Sequence, residues 1–220
     1  MKNGEIYPFD AIVFDLGGVL IELSGVDRML ELLQHQLTVD ELWTRWLTSP
    51  AVHHFETGQI DADAFATTLF DEFGITIDAT QFITEFASWP KGLYPGTTEL
   101  LQQLAPHYQL ACLTNTNALH WPRICDEMGV LDHFARHFAS HEIGLLKPHE
   151  AIYRHLLDAL GHAPERILFL DDNWLNVEAA QAVGICAQRV VGLDGAIAQL
   201  TDLGVLPVAG TDAILPGSTI

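Results

Sequence analysis

Ala11-Ile12-Val13-Phe14, Leu110-Ala111-Cys112-Leu113 and Ile167-Leu168-Phe169-Leu170 are short runs without a charged or amide residue. A strand of that kind has no solvated face, so it belongs inside a parallel sheet covered by helices on both sides. Helical spacing fills the stretches between them. Leu100, Leu101 and Leu104 precede the second run, and Ile152, Tyr153, Leu156, Leu157 and Leu160 precede the third, with Gly161 as a stop. A helix is expected over residues 118–128, and another carrying Val177, Ala180 and Val183. Short strands are expected near His137-Phe138-Ala139 and over residues 185–188. Strands alternating with helices predict an α/β fold with a doubly wound, mainly parallel, Rossmann-like sheet.

One stretch breaks the alternation. From residue 23 to residue 92 there are four helical stripes and no convincing strand: Met29 to Leu37, Leu42 to Leu47, Phe65 to Phe73, and Phe82 to Phe86. The stretch reads as a helical-bundle cap inserted into an α/β core made of residues 1–22 and 93–220. Residues 204–220 are punctuated by Pro and Gly and are expected to form an irregular tail.

Charge narrows the function classes. Ten Lys and Arg against 29 Asp and Glu leave a formal net charge of −19. Nucleic acid and anionic membrane surfaces both require a basic patch, and none is visible. The apolar stretch of residues 11–23 is broken by Asp15 and Glu22 and is too short to span a bilayer. Three scattered cysteines form no C-x-x-C pair, and the opening MKNGEIYPFD has no apolar core like that of a signal peptide. The expectation is a cytoplasmic protein, monomeric or homodimeric, acting on a small molecule.

In open α/β sheets ligands bind beyond the carboxyl ends of the strands. Asp15, Thr114-Asn115 and Asp171-Asp172-Asn173 fall at such ends, and Lys147-Pro148 lies in a loop before a helix. Each alone reads as a turn or a cap. Together they make a site. In order and spacing, FDLGGVL, LTNTN, LLKP and FLDDNWLN resemble the four motifs of the haloacid dehalogenase superfamily, and the helical insert resembles its first-type cap. FDLGGV with LDDN is similar to the branch holding bacterial glucose-1-phosphatases and the N-terminal domains of epoxide hydrolases.

The resemblance implies a Mg²⁺-dependent phosphatase for a small phosphorylated metabolite, with a sugar phosphate expected. Asp15 would attack phosphorus and carry an aspartyl-phosphate. Asp15, the Gly17 carbonyl and Asp172 would hold Mg²⁺, with Asp171 as a further ligand or a holder of metal-bound water and Asn176 orienting the metal site. Thr114 Oγ and the Asn115 N–H would bind phosphoryl oxygens, and Lys147 would bridge the phosphate and Asp15. Gly17 departs from the pattern, because most phosphatases of the superfamily carry a second Asp there as general acid and base. Losing that group costs about 10²–10⁴ in rate. Three outcomes follow: an acidic leaving group, a substitute from the cap, or a ligand-binding or regulatory protein with little turnover. Cap candidates are His53, His54 and Glu56, expected in a segment between helical stripes. The remaining alternative is a 2-haloacid dehalogenase, against which the Asp171-Asp172 pair and the lack of an early Arg both argue. Residues 22–91 hold 12 acids and 3 bases, so capture of an anion must be local rather than diffuse.

Overall fold

The structure is a computed structural model that describes residues 8–207. Five strands form the central sheet: β1 (Ala11–Phe14), β4 (Gln109–Thr114), β5 (Arg136–Ala139), β6 (Ile167–Asp171) and β7 (Cys186–Arg189). Their order is β5-β4-β1-β6-β7, and every pairing is parallel. Alternation along β1 divides the core. Ile12 and Phe14 pack with Leu101, Leu110 and Leu168 on one face, while Ala11 and Val13 pack with Ile152, Tyr153 and Phe169 on the other. Both faces are dry, as expected of strands with no polar side.

The flanking helices are α6 (Thr97–Leu104), α7 (Ser140–Ile143), α8 (Glu150–Leu160), α9 (Trp174–Ala182) and α10 (Gly192–Asp202). Gly161 ends α8 in the left-handed conformation. Two stretches differ from expectation. Residues 118–128 do not form one helix: a turn leads to a π-helical segment, Arg123–Glu127, because Asn117 ties down the N–H groups of Leu119 and His120 and Pro122 brings no donor. The helix α10 had no counterpart in the sequence reading. Of the irregular tail, residues 208–220 lie outside the described residues, and so does most of the polar N-terminus.

The inserted stretch holds five helices rather than four: α1 (Gly25–Leu32), α2 (Val39–Leu47), α3 (Pro50–Glu56), α4 (Ala62–Phe73) and α5 (Ala79–Ala87). They enclose a core of their own around Phe55, Phe65, Leu69, Phe82 and Phe86. Phe55 stacks on Phe65 with ring centroids 4.3 Å apart. The chain enters and leaves this body through an antiparallel pair, β2 (Ile21–Leu23) with β3 (Pro90–Leu93), and Ser24 N–H donates to Trp89 O at 3.1 Å. Gly25 sits so close to the Trp89 ring that a Cβ there would lie 2.1 Å from Cε3.

Candidate active site

Asp15 follows the last residue of β1, at the point where the chain turns to opposite sides of the sheet. Its N–H still donates to Leu170 O at 2.8 Å, so the neighbouring strand fixes its backbone. Leu16 N–H donates to Asp15 Oδ1 at 2.7 Å, and Lys147 Nζ stands 3.0 Å from the same oxygen. Lys147 Nζ also donates to Asp171 Oδ2 at 2.7 Å. Asp171 receives two further donors, Asn176 Nδ2 at 2.9 Å on Oδ1 and the Asn173 N–H at 2.9 Å on Oδ1. Its carboxylate is thus saturated and sealed from solvent.

The loop carrying Lys147 is clasped by Asn115, whose amide donates to Lys147 O at 3.0 Å and accepts from Lys147 N–H at 2.9 Å. Tyr153 O–H donates to Asn176 O at 2.9 Å and steadies the start of α9. Gly18 has φ +73°, and a Cβ on it would fall 2.3 Å from Asp172 Oδ2. The backbone passes under that carboxylate at a distance only glycine permits.

Carboxylate oxygens of Asp15, Asp171 and Asp172 lie within 4.8 Å of one another. Burial drives Asp15 up to about 7, with Asp171 and Asp172 adding to the rise and Lys147 opposing it. Asp172 rises to about 6, chiefly through burial and then Asp171. Burial alone would lower Lys147, but Asp15 and Asp171 more than offset it, so it stays charged. Three acids around one ammonium leave an excess of negative charge in a dry place.

A cavity of about 320 Å³ opens above these groups, between core and cap. Asp15, Gly17, Thr114, Asn115, Lys147, Asp172 and Asn176 line its floor. Of the three cap candidates, the structure brings Glu56 into this cavity. His53, His54 and Glu56 sit on α3, not in a loop, and a seven-residue helix points its residues different ways. His54 faces solvent, and His53 meets His149 at 3.1 Å between Nε2 atoms, outside the cavity lining. Burial pushes Glu56 up to about 8, with Asp15 adding and Lys147 and the Trp46 side chain opposing. Sequence reasoning missed Thr116, a buried residue on the cavity wall whose Oγ1 has no hydrogen-bond partner. It also missed Trp46 and Tyr94. Thr116 lies within LTNTN, but nothing in the spelling separates its role from that of Thr114.

Residues 9–184 match the haloacid dehalogenase-like hydrolase family. Among curated proteins, the chain is 28% identical over 180 residues to the sesquiterpene phosphatase astK of Aspergillus oryzae, covering 80% of this chain and 87% of that one. It is 34% identical over 91 residues to a phosphoglycolate phosphatase of Nitrosococcus oceani, a match covering 41% of this chain and 40% of that one. Among solved structures, a mutant of a HAD family enzyme from Bacteroides thetaiotaomicron, complexed with magnesium and inorganic phosphate, superposes with TM-score 0.66 at 25% identity, over 83% of this chain and 94% of that one. The strand order, the buried lysine between two acids and the helical insert agree with that assignment: the chain belongs to the haloacid dehalogenase-like hydrolase family and is an enzyme of that family.

Proposed function

We propose that the protein is a Mg²⁺-dependent phosphatase that hydrolyses a small phosphate monoester through an aspartyl-phosphate on Asp15. The observation that carries this reading is the grip of Leu16 N–H and Lys147 Nζ on Asp15 Oδ1, at the floor of a cavity that also holds Asp172. Both donors take the same oxygen, which leaves Oδ2 as the attacking atom.

The donor set fits Mg²⁺, which prefers hard oxygen ligands and carboxylates above all. The raised Asp15 and Asp172 mark a charge excess that a divalent cation relieves. Asp15, Asp172 and the Gly17 carbonyl would hold it; Asp171 has its oxygens engaged and serves instead to anchor Lys147. Bound there, the ion supplies neutralisation of phosphoryl charge, which makes attack by a weak carboxylate nucleophile feasible. Magnesium and phosphate in the Bacteroides enzyme, and the phosphatase names of the two curated relatives, support the same choice. Asp171 and Asp172 beside the nucleophile favour phosphorus over carbon as the centre attacked, so the haloacid reading falls behind.

Asp15 Oδ2 bonds to phosphorus as the ester P–O bond breaks. The leaving oxygen needs a proton, and Gly17 has none to give. Glu56, held protonated in the cavity wall, donates it to the departing alcohol. In the second half Glu56 takes a proton from the water that attacks phosphorus, and Asp15 is regenerated with release of phosphate. Lys147 holds its charge throughout and keeps Asp15 oriented.

Purified protein with Mg²⁺ and a panel of phosphorylated metabolites, sugar phosphates included, tests the proposal. Phosphate release abolished by chelator and by Asp15→Asn is expected. Release no faster than with Asp15→Asn for every compound would refute it.

A further inference from the structure

The two ends of the cavity are unlike. Its floor is charged, whereas the cap supplies walls of Met29, Leu42, Trp43, Trp46, Phe86 and Trp89. Among the described residues that line it, Lys147 is the sole permanent cation, and its ammonium is already engaged by Asp15 and Asp171. His120 adds no charge, since burial lowers it to about 4 and its Nε2 lies 2.8 Å from Phe86 O. A substrate with a second anionic group, such as a carboxylate beside the phosphate, would find no counter-charge above the floor.

Sugar hydroxyls fare little better. Each needs a partner once water is excluded. The cap walls offer indole N–H groups, that of Trp46 being turned to Glu56, and the one buried hydroxyl without a partner among the described lining residues, Thr116 Oγ1, sits on the core side. Carbon surface is what these walls accommodate. The apolar character continues to the mouth, where Leu23, Trp43 and Leu47 are each about 40% exposed while still lining the cavity. A cavity of about 320 Å³ stands at the small end of the range for small-molecule sites, so the tail must be compact or reach outward past these three residues.

We infer that the substrate is the monophosphate of an apolar, carbon-rich alcohol, in place of the sugar phosphate expected from the sequence. This rests on the phosphatase reading above, and names the leaving group that the cap selects.

The experiment compares kcat/KM, with Mg²⁺, for butyl, hexyl and octyl phosphate, glucose 6-phosphate, phosphoglycolate and acetyl phosphate. Each added methylene is expected to raise kcat/KM about fourfold until the walls are filled. Glucose 6-phosphate and phosphoglycolate should fall at least tenfold below octyl phosphate. Trp43→Ala should cut the ratio of octyl to acetyl phosphate about tenfold. Acetyl phosphate turned over with a flat chain-length series, or with glucose 6-phosphate preferred, overturns the inference and leaves the phosphatase reading intact. If no compound is hydrolysed faster than with Asp15→Asn, the phosphatase reading fails, and thermal shift of the Asp15→Asn protein then decides the binding claim. Octyl phosphate should raise its midpoint more than an equal concentration of glucose 6-phosphate; an equal or smaller rise overturns it.

Discussion

Lys147 places its ammonium between Asp15 and Asp171 with only 1% of its side chain exposed. Removing one partner of a buried ion pair strands the other, at a cost of about 3–5 kcal/mol. Lys147→Met should therefore lower the unfolding midpoint of the metal-free protein by several degrees, with part of the loss recovered at pH 5, where Asp15, raised by burial, protonates; calorimetry at pH 5 and 8 checks this. Glu56→Gln should cut kcat about 10²–10⁴-fold for an alkyl phosphate and little for acetyl phosphate, whose leaving group needs no proton. Adding Gly17→Asp to that variant should restore much of the loss, since a Cβ at Gly17 meets only the movable end of Leu23, at 2.9 Å. With Glu56 raised to about 8 and needed as an acid, kcat should fall as pH climbs through about 8, and this limb should vanish in Glu56→Gln. The same shift acts on stability: a carboxyl raised on folding stabilises fully below its unfolded value and loses that contribution as pH rises through about 8. Asp15, Lys147 and Asp172 were legible in sequence because strand ends and motif spacing put them there. Glu56 was readable only as one of three candidates, because which way a side chain leaves a short helix is settled by packing.

Helix α3 carries that carboxyl, and its first turn is fastened from α4. Ser49 caps it by accepting from Val52 N–H at 3.2 Å, and Glu72 receives both the Ser49 hydroxyl and the Ala51 N–H. Glu72→Ala leaves these donors without their acceptor, which should cost about 1–3 kcal/mol and weaken turnover by loosening α3; urea unfolding beside steady-state kinetics measures both. This helix escaped the sequence reading because seven residues with Pro50 at the start and His53-His54 in the middle make too little of a stripe to stand out. The pair β2 and β3 escaped for a related reason: strands of three and four residues with Glu22, Lys91 and Gly92 among them lack the alternation that betrays longer ones. Strands β1, β4 and β6 had no such ambiguity, each carrying a four-residue apolar run that leads into Asp or Thr-Asn.

Among the described residues, the contacts between core and cap beyond the β2–β3 pair include the packing of Leu119 on the cap's own core and three meetings that involve histidines. His120 stacks on Phe86 with centroids 4.4 Å apart, Gly58 lies against His141 O, and His53 faces His149. Burial lowers His53, followed by the influence of His149 and His54. A base depressed on folding gives stability that is present at neutral pH and lost as pH falls below its unfolded value near 6.5. Protection factors against hydrogen exchange in α3, corrected for the intrinsic rate at each pH, should thus fall between pH 7.5 and pH 5.5, and His149→Ala should blunt the change; identical protection factors at both pH values would contradict it. A break in texture was what suggested a core and an insert in the sequence, whereas these contacts join residues up to 96 positions apart and leave no trace in local pattern.

Ser24 and Trp89 are 65 positions apart along the chain yet joined at one doorstep. To the catalytic half, the whole excursion is a single long loop, and lengthening a loop twofold adds only about 0.6 kcal/mol of closure entropy. The lid could then be exchanged, by grafting another between those two residues, while the carboxylates beneath stay where they are, provided the graft returns an acid in the place of Glu56. Appetite is written on one length of the polypeptide, and the chemistry beneath borrows from it a single carboxyl, that of Glu56.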